Sequence, residues 1–289
     1  MPRAQTVPEY VVRLFRSLRD ATRHRRLSAP VGGKLVCHSR LIDLNSQEGQ
    51  RLAAEAFVNQ KLVQALLRQE HPAFCAVASA MTVASAEEVG PADQKRFADV
   101  FRKAETWPPV MACYGLDALD ALPALLKYWL LSHLQYDGAP LALLAQWLRL
   151  LDFDVEILSS ADLDEDAFRE DVLATFSSSS DESRRFLLIN YSRSVVGQRM
   201  FSGGNIVPIG GLHEKEDKVL LLEVNSWRYP SVWVDLPLLW QATHTQVGNG
   251  SWRGYLRIKK LQNPDNLGDG YHKSCAATDA PPSINLYVP

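Results

Sequence analysis

Residues 69–75 read QEHPAFC, and residues 76–86 continue as AVASAMTVASA. Pro72 stands three residues before Cys75, and only small and apolar residues, with a few hydroxyl groups, follow the cysteine. This order predicts a loop that delivers Cys75 to the first turn of a buried helix.

Cys75 is a candidate nucleophile because of this position. The partial positive charge at a helix N-terminus favours a thiolate over a thiol, and the thiolate is the form that attacks carbonyl groups or binds metals. The alternative is that Cys75 is one more small buried apolar residue, which is the usual role of a free cysteine. Local features alone leave both interpretations open.

Other motifs lie on both sides of this stretch in a fixed order. Upstream, residues 41–49 read LIDLNSQEG. Downstream come GNIVPIGG over residues 204–211, LEV over 222–224, WRYPSVWV over 227–234 and RGY over 253–255. Together with Gln69 and the Pro-Ala-aromatic-Cys pattern, this series resembles phytochelatin synthase, a papain-like glutathione γ-glutamylcysteinyltransferase. The resemblance covers about residues 40 to 260.

The resemblance implies an α+β papain-like fold, in which a helical half carries the nucleophile and packs against an antiparallel sheet. It assigns Cys75 as the nucleophile, and Gln69 together with the backbone N–H of Cys75 as the oxyanion donors. Asn205 stands where the family carries its catalytic histidine, and Glu223 stands where it carries an aspartate. An amide cannot take a proton from a thiol near neutral pH, so the base position has no obvious holder.

The resemblance also implies the substrates. Cys75 would attack the cysteinyl carbonyl of glutathione, release glycine and pass the γ-glutamylcysteinyl group to a second glutathione or to water. Arg228 and Arg193 are candidates to bind substrate carboxylates, because a guanidinium fork matches a carboxylate. No organic cofactor is implied, and heavy-metal ions such as Cd²⁺ or Zn²⁺ would enter as glutathione thiolates. No residue is assigned as a direct metal ligand.

Composition excludes several other classes. The net charge of −2 gives no electrostatic case for nucleic acid. The four cysteines, at positions 37, 75, 113 and 275, form no Cys-x-x-Cys pair and favour a reducing compartment such as the cytoplasm. No apolar run approaches the roughly 18 residues of a membrane span, so no membrane association is expected. The sequence leaves the oligomeric state open, a homodimer included.

Three segments are predicted. Residues 1–39 form a basic extension with seven arginines before Pro30, residues 40–261 form the catalytic domain, and residues 262–289 form a loop-rich tail. Leu14, Phe15 and Leu18 recur at helical spacing within the extension. This basic helix is either packed on the domain or an organelle transit peptide, which is the alternative to a cytoplasmic location.

Periodicity predicts helices first and strands second within the domain. Helices are expected over residues 46–68, after Cys75, over 87–105, along leucine stripes at 122–134 and 141–151, and from about 160 to 176. Strands are expected at 155–158, 186–191, 205–212, 219–225, 232–234 and 254–259. A hairpin turn at 213–217 should bring Asn205 and Glu223 together on neighbouring strands.

Three functional hypotheses follow. The first is an active transferase or glutathione peptidase in which another group replaces the histidine; His71, His213 and His244 are the candidates. The second is a pseudoenzyme that keeps the cleft and binds glutathione, metal thiolates or a protein partner. The third is a metal-binding protein that uses Cys75 and a nearby histidine, which would make a poor chelate.

Overall fold

An antiparallel sheet forms the centre of the structure. A computed structural model describes residues 40–70, 74–89, 94, 139–177, 185–198, 203–247 and 251–261. Within these ranges the strands are β1 (Ile42–Asp43), β2 (Phe57–Val58), β3 (Phe153–Ser159), β4 (Arg185–Ser192), β5 (Gly204–His213), β6 (Lys218–Leu221), β7 (Val232–Asp235) and β8 (Gly254–Lys260). Seven of them lie in the order β1-β7-β6-β5-β4-β8-β3, and β2 pairs with β5.

Six α-helices cover the sheet in the described part of the chain. They are α1 (Gln47–Glu55), α2 (Gln60–Gln64), α3 (Cys75–Ala86), α4 (Leu141–Arg149), α5 (Glu165–Phe176) and α6 (Leu236–Thr243). Successive residues of a strand point to opposite faces. Leu188 of β4 therefore packs with α3 and α4 in one core, whereas Leu187 and Ile189 pack with α5 and α6 in the other. The central strands are buried on both faces for this reason.

Helix α3 owes its close approach to β5 to its small residues. Ala76, Ala80 and Ala84 are buried, and the Ser79 hydroxyl donates a hydrogen bond of 2.8 Å to the backbone oxygen of Ile206. This bond lies one helical turn after Cys75 and holds the start of the helix against the first residues of β5.

The predicted α+β class is confirmed, since four of the six described helices, α1 to α4, precede strands β3 to β8 of an antiparallel sheet of eight strands. The hairpin from β5 to β6 turns at Glu214–Glu216, and Asp217 adopts the left-handed conformation that closes it. Helix α5 ends at Phe176, as predicted.

Three boundaries differ markedly from the prediction. Helix α5 begins at Glu165 instead of near residue 160, because the side chain of Asp164 caps it by accepting a hydrogen bond from the Ala167 N–H at 2.9 Å. The helix expected over residues 46–68 is split into α1 and α2 by strand β2, because the side chain of Asn59 caps a new helix by accepting a hydrogen bond from the Leu62 N–H at 3.0 Å. The strand expected to reach residue 225 leaves the ladder after Leu221. The ladder is irregular there, with a register shift between Ile209 and Gly211, and the Glu223 N–H donates to the Ser231 hydroxyl instead.

Helix α6 was not predicted, although Pro237 in its first turn is a helix-start signal. The basic extension, the tail, the stripe at 122–134 and most of residues 87–105 lie outside the described residues. None of the described helices has the length and apolar character needed to cross a membrane.

Candidate active site

Cys75 is the first residue of α3, as predicted. The residue at the N-cap position, Phe74, makes no side-chain hydrogen bond to the first turn of this helix. Cys75 keeps part of its surface exposed and lies at the edge of both hydrophobic cores. Cys75 therefore lies where the protein interior meets the surface, with its sulfur on the buried side.

Opposing effects set the protonation of the Cys75 thiol. Burial of the sulfur is the largest effect and raises its pKa above the ordinary value. Backbone hydrogen bonds from Ile206 and Ala76 and the positive charge of Arg193 act in the opposite direction, while Glu223 adds to the increase. The thiol is the resting form at neutral pH, and the groups that would stabilise a thiolate are already in place.

Asn205 and Glu223 are brought together, as the hairpin predicted. The Asn205 side-chain nitrogen lies 3.2 Å from both carboxylate oxygens of Glu223. It also lies 3.4 Å from the Tyr191 hydroxyl. Asn205 and Glu223 are each 2% exposed. Because Ile206 contacts the Cys75 thiol, this pair lies at the end of β5 that faces the nucleophile.

Arg193 occupies the other side of Glu223. Its guanidinium donates two hydrogen bonds to the carboxylate, of 2.8 and 3.1 Å, and a third of 2.6 Å to the side-chain oxygen of Gln198. The guanidinium carbon lies 4.2 Å from the centre of the Tyr229 ring. Burial is the largest single effect on the pKa of Arg193 and lowers it. The charge and hydrogen bonds of Glu223, together with Tyr191 and Tyr229, act in the opposite direction and raise the pKa overall. Arg193 and Glu223 therefore form a buried ion pair.

The segment before Cys75 is hydrogen-bonded to the loop that carries Glu223. The Gln69 N–H donates to the backbone oxygen of Val224 at 2.9 Å, and Gln69 is buried. The predicted oxyanion donor thus lies beside the residue that follows Glu223. Residues 71–73 lie outside the described ranges.

The two candidate substrate arginines differ. Arg193 is held within the chain by Glu223 and Gln198, so a substrate carboxylate would have to compete with both. Arg228 is half-buried on the loop between Glu223 and β7. Substrate binding by either residue stays a prediction.

The described histidines have partners of their own. His213 ends β5, eight residues and about 26 Å along the strand from Asn205. Its Nδ1 accepts a hydrogen bond from the Glu216 N–H, and His244 Nδ1 donates to the backbone oxygen of Ser160 at 2.8 Å. His71 lies outside the described residues. His213 therefore lies far from Asn205 along β5, and one ring nitrogen of His244 is engaged by Ser160.

Sequence reasoning missed several polar residues of this site. Gln198 accepts hydrogen bonds from both Arg193 and Tyr191, and Gln94 bonds the backbone on both sides of Gln69. Neither glutamine carries a local sequence signal. Within the described part of the chain, no group of three or more His, Cys, Asp or Glu side chains could hold a metal ion.

The segments that carry Cys75, Asn205 and Glu223 all lie within one family match. A sequence model of the phytochelatin synthase family matches residues 33–255. The chain belongs to the phytochelatin synthase family. The resemblance seen in the sequence is thereby confirmed, and the papain-like fold agrees with this membership.

Curated relatives support the assignment. The chain is 30% identical over 233 residues to glutathione gamma-glutamylcysteinyltransferase 3 of Lotus japonicus, covering 78% of this chain and 44% of that protein. It is 26% identical over 204 residues to the glutathione gamma-glutamylcysteinyltransferase of Schizosaccharomyces pombe, covering 70% and 44%. The Arabidopsis thaliana enzyme of that name numbered 1 is 26% identical over 233 residues, covering 78% and 43%. The chain spans less than half the length of these phytochelatin synthase relatives.

Proposed function

We propose that this protein transfers the γ-glutamylcysteinyl group of glutathione through a thioester on Cys75, at a rate lowered by Asn205. The observation that carries the proposal is the placement of Cys75 at the start of α3, against the strand that bears Asn205 and beside the Asn205–Glu223 pair. The names of the phytochelatin synthase relatives supply the substrate class.

The proposed chemistry has two steps. The Cys75 sulfur attacks the cysteinyl carbonyl carbon of glutathione, the bond to the glycine nitrogen breaks, and glycine leaves with one added proton. The amine of a second glutathione, or water, then attacks the thioester and releases the Cys75 thiol. Gln69 and the Cys75 N–H would donate to the oxyanion of each tetrahedral intermediate, a contribution of roughly 10² to 10³ in rate for each donor. Heavy-metal ions enter the reaction bound to the thiolate of the substrate glutathione.

Proton transfer is the weak step of this scheme. In the described residues, the position beside Glu223 holds the amide of Asn205, which neither accepts the thiol proton nor returns it to the leaving amine. Water would have to carry that proton. General acid–base assistance is typically worth roughly 10² to 10⁴ in rate, and a deficit of this order is expected against a histidine-bearing relative.

A second function, glutathione binding without turnover, is favoured by the ion pair. Glu223 is already engaged by Arg193 and by Asn205, and burial keeps the Cys75 thiol protonated. A protein of this kind would retain the shape of the cleft and bind glutathione, metal thiolates or a partner protein. Its compartment and oligomeric state remain predictions.

Glycine release from glutathione separates the two functions. The parent and Cys75→Ala are incubated with glutathione, with and without Cd²⁺, and free glycine is measured. Slow release that requires Cys75 supports the transferase. Calorimetric binding of glutathione by both proteins, without glycine release by either, supports the binding function. No binding and no release would contradict both.

A further inference from the structure

The backbone around Gln69 is held from two opposite sides. On one side the Gln69 N–H donates to the Val224 oxygen at 2.9 Å. On the other side a single side chain, Gln94, bonds both neighbouring peptide groups: its Oε1 accepts from the Glu70 N–H at 2.9 Å, and its Nε2 donates to the Arg68 oxygen at 2.6 Å. Gln94 is 3% exposed and Gln69 is 4% exposed.

This pattern is the hydrogen bonding of a strand in a sheet. In extended backbone the polar groups of one residue point to one side, and those of its two neighbours point to the other. The Val224 oxygen accepts a hydrogen bond at the edge of the backbone to which the Gln69 N–H points. At the opposite edge, the side-chain amide of Gln94 bonds the Glu70 N–H and the Arg68 oxygen, as a neighbouring strand would. A segment bound on both sides in this way keeps a fixed backbone direction, and so does the first bond of its side chain.

We propose that Gln94 is a positioning residue, which holds the side chain of Gln69 in the orientation required of an oxyanion donor. The inference rests on the proposed function, because Gln69 donates to an oxyanion only when Cys75 attacks a carbonyl. Such donors stabilise a transition state only when they are held in place beforehand, to within about 0.5 Å. Gln94 supplies that constraint from a site 25 residues further along the chain.

Other contacts hold the same segment, but they do not involve the peptide groups on either side of Gln69. The Leu67 N–H donates to the Thr82 hydroxyl on α3 at 3.1 Å, and the Arg68 guanidinium stacks on the Trp227 ring at 4.2 Å. Among the contacts described, the amide of Gln94 is the one that bonds both peptide groups adjacent to Gln69.

The expected effect of Gln94→Ala is a fall of about tenfold in the rate of glycine release, which is less than the roughly 10² to 10³ of a lost donor. The KM for glutathione should stay within about twofold, since Gln94 has no part in holding the ground state. In a Gln69→Ala background the same substitution should change the rate by less than about twofold, because the group it positions is absent.

A transition-state mimic makes the test independent of turnover. The aldehyde γ-glutamylalaninal adds the Cys75 thiol across its carbonyl and forms a thiohemiacetal, whose oxygen occupies the place of the oxyanion. Its affinity and that of glutathione are measured by calorimetry for the parent, Gln94→Ala, Gln69→Ala and the double variant. Gln64→Ala, at an exposed glutamine of α2, is the matched control. Gln94→Glu, which keeps the acceptor for the Glu70 N–H, replaces Gln94→Ala if the latter does not fold.

The expected result is an aldehyde affinity about tenfold lower in Gln94→Ala, with glutathione affinity unchanged and no further loss in the double variant. If the losses of aldehyde affinity in Gln69→Ala and Gln94→Ala multiply in the double variant, the two residues act independently and the inference is overturned. The inference is also overturned if Gln94→Ala changes the thermal stability alone. A parent that binds both compounds, with Gln94→Ala unaltered, contradicts the inference alone. A parent that binds neither compound contradicts the proposed function as well.

Discussion

Asn205→His should increase the activity of this protein. Asn205 already donates to both oxygens of Glu223 at 3.2 Å, so a histidine there would find a carboxylate to orient its ring. The neighbouring residue, Ile206, contacts the Cys75 thiol, which brings the imidazole within the region of the nucleophile. The substitution therefore returns a base to a site that otherwise keeps its nucleophile and its acid.

The size of the increase follows from two opposing features of the structure. A working general acid–base contributes roughly 10² to 10⁴, and an imidazolium beside Cys75 would also lower the thiol pKa that burial raises. Arg193, however, already binds both carboxylate oxygens and leaves less of the Glu223 charge for the imidazole. We therefore expect the lower end of the range, about 10²-fold in kcat, or about 2.7 kcal/mol in activation free energy.

The assay is glycine release from glutathione at saturating substrate between about pH 6 and about pH 9, a range of roughly three units that includes the imidazole pKa. Asn205→Gln is the control, because it changes the length of the side chain without adding a base. Cys75→Ala in the Asn205→His background should abolish the gain. A parent that already turns over rapidly and is slowed by Asn205→His would refute the assignment of Asn205 to the base position.

Three further results are expected. Arg193→Met or Glu223→Gln alone should lower the free energy of unfolding by about 3–5 kcal/mol, because each leaves a buried charged partner uncompensated. The double variant should recover most of this loss when stability is measured by chemical denaturation. A double variant as unstable as the single variants would contradict the role of the ion pair. Gly49→Ala should lower the free energy of unfolding by about 1–3 kcal/mol, because an added Cβ would lie 2.1 Å from the backbone oxygen of Asp43. An unchanged melting temperature would contradict the close contact between Gly49 and this oxygen. The rate of Cys75 alkylation by iodoacetamide, followed by peptide mass spectrometry, should still increase above the pH at which the rate for a free cysteine becomes constant, because burial raises the thiol pKa. A rate that becomes constant below neutral pH would contradict this. The same shift favours the folded state below the unfolded-state pKa of the thiol, and that contribution is lost as the pH rises through the folded-state pKa.

Much of the fold could be predicted because its signals are local. The run of small residues after Cys75 and the apolar stretches of the strands can each be recognised within a few residues, and the hairpin between β5 and β6 brought Asn205 and Glu223 together. The split of the predicted 46–68 helix was missed, because the pairing of Phe57 with Leu212 depends on a strand more than 150 residues away.

The polar network of the site could not be predicted for a similar reason. Arg193 is a candidate to bind a substrate carboxylate, and its bidentate contact with Glu223, across 30 residues, is one that no spacing rule indicates. Gln94 and Gln198 are ordinary polar residues in sequence, and only the folded backbone shows which peptide groups and side chains they bond. Local patterns placed Cys75 at the start of a buried helix, whereas the polar contacts around it are long-range.

The most direct test of the central claim is a search for the acyl group on Cys75 itself. The protein is mixed with glutathione, quenched in acid to preserve thioesters, digested and analysed by mass spectrometry, with Cys75→Ser as the control. The account predicts a γ-glutamylcysteinyl adduct on the peptide that contains Cys75, and none on the same peptide of the control. Glycine release that persists in Cys75→Ser, or an adduct on a different cysteine only, would contradict it.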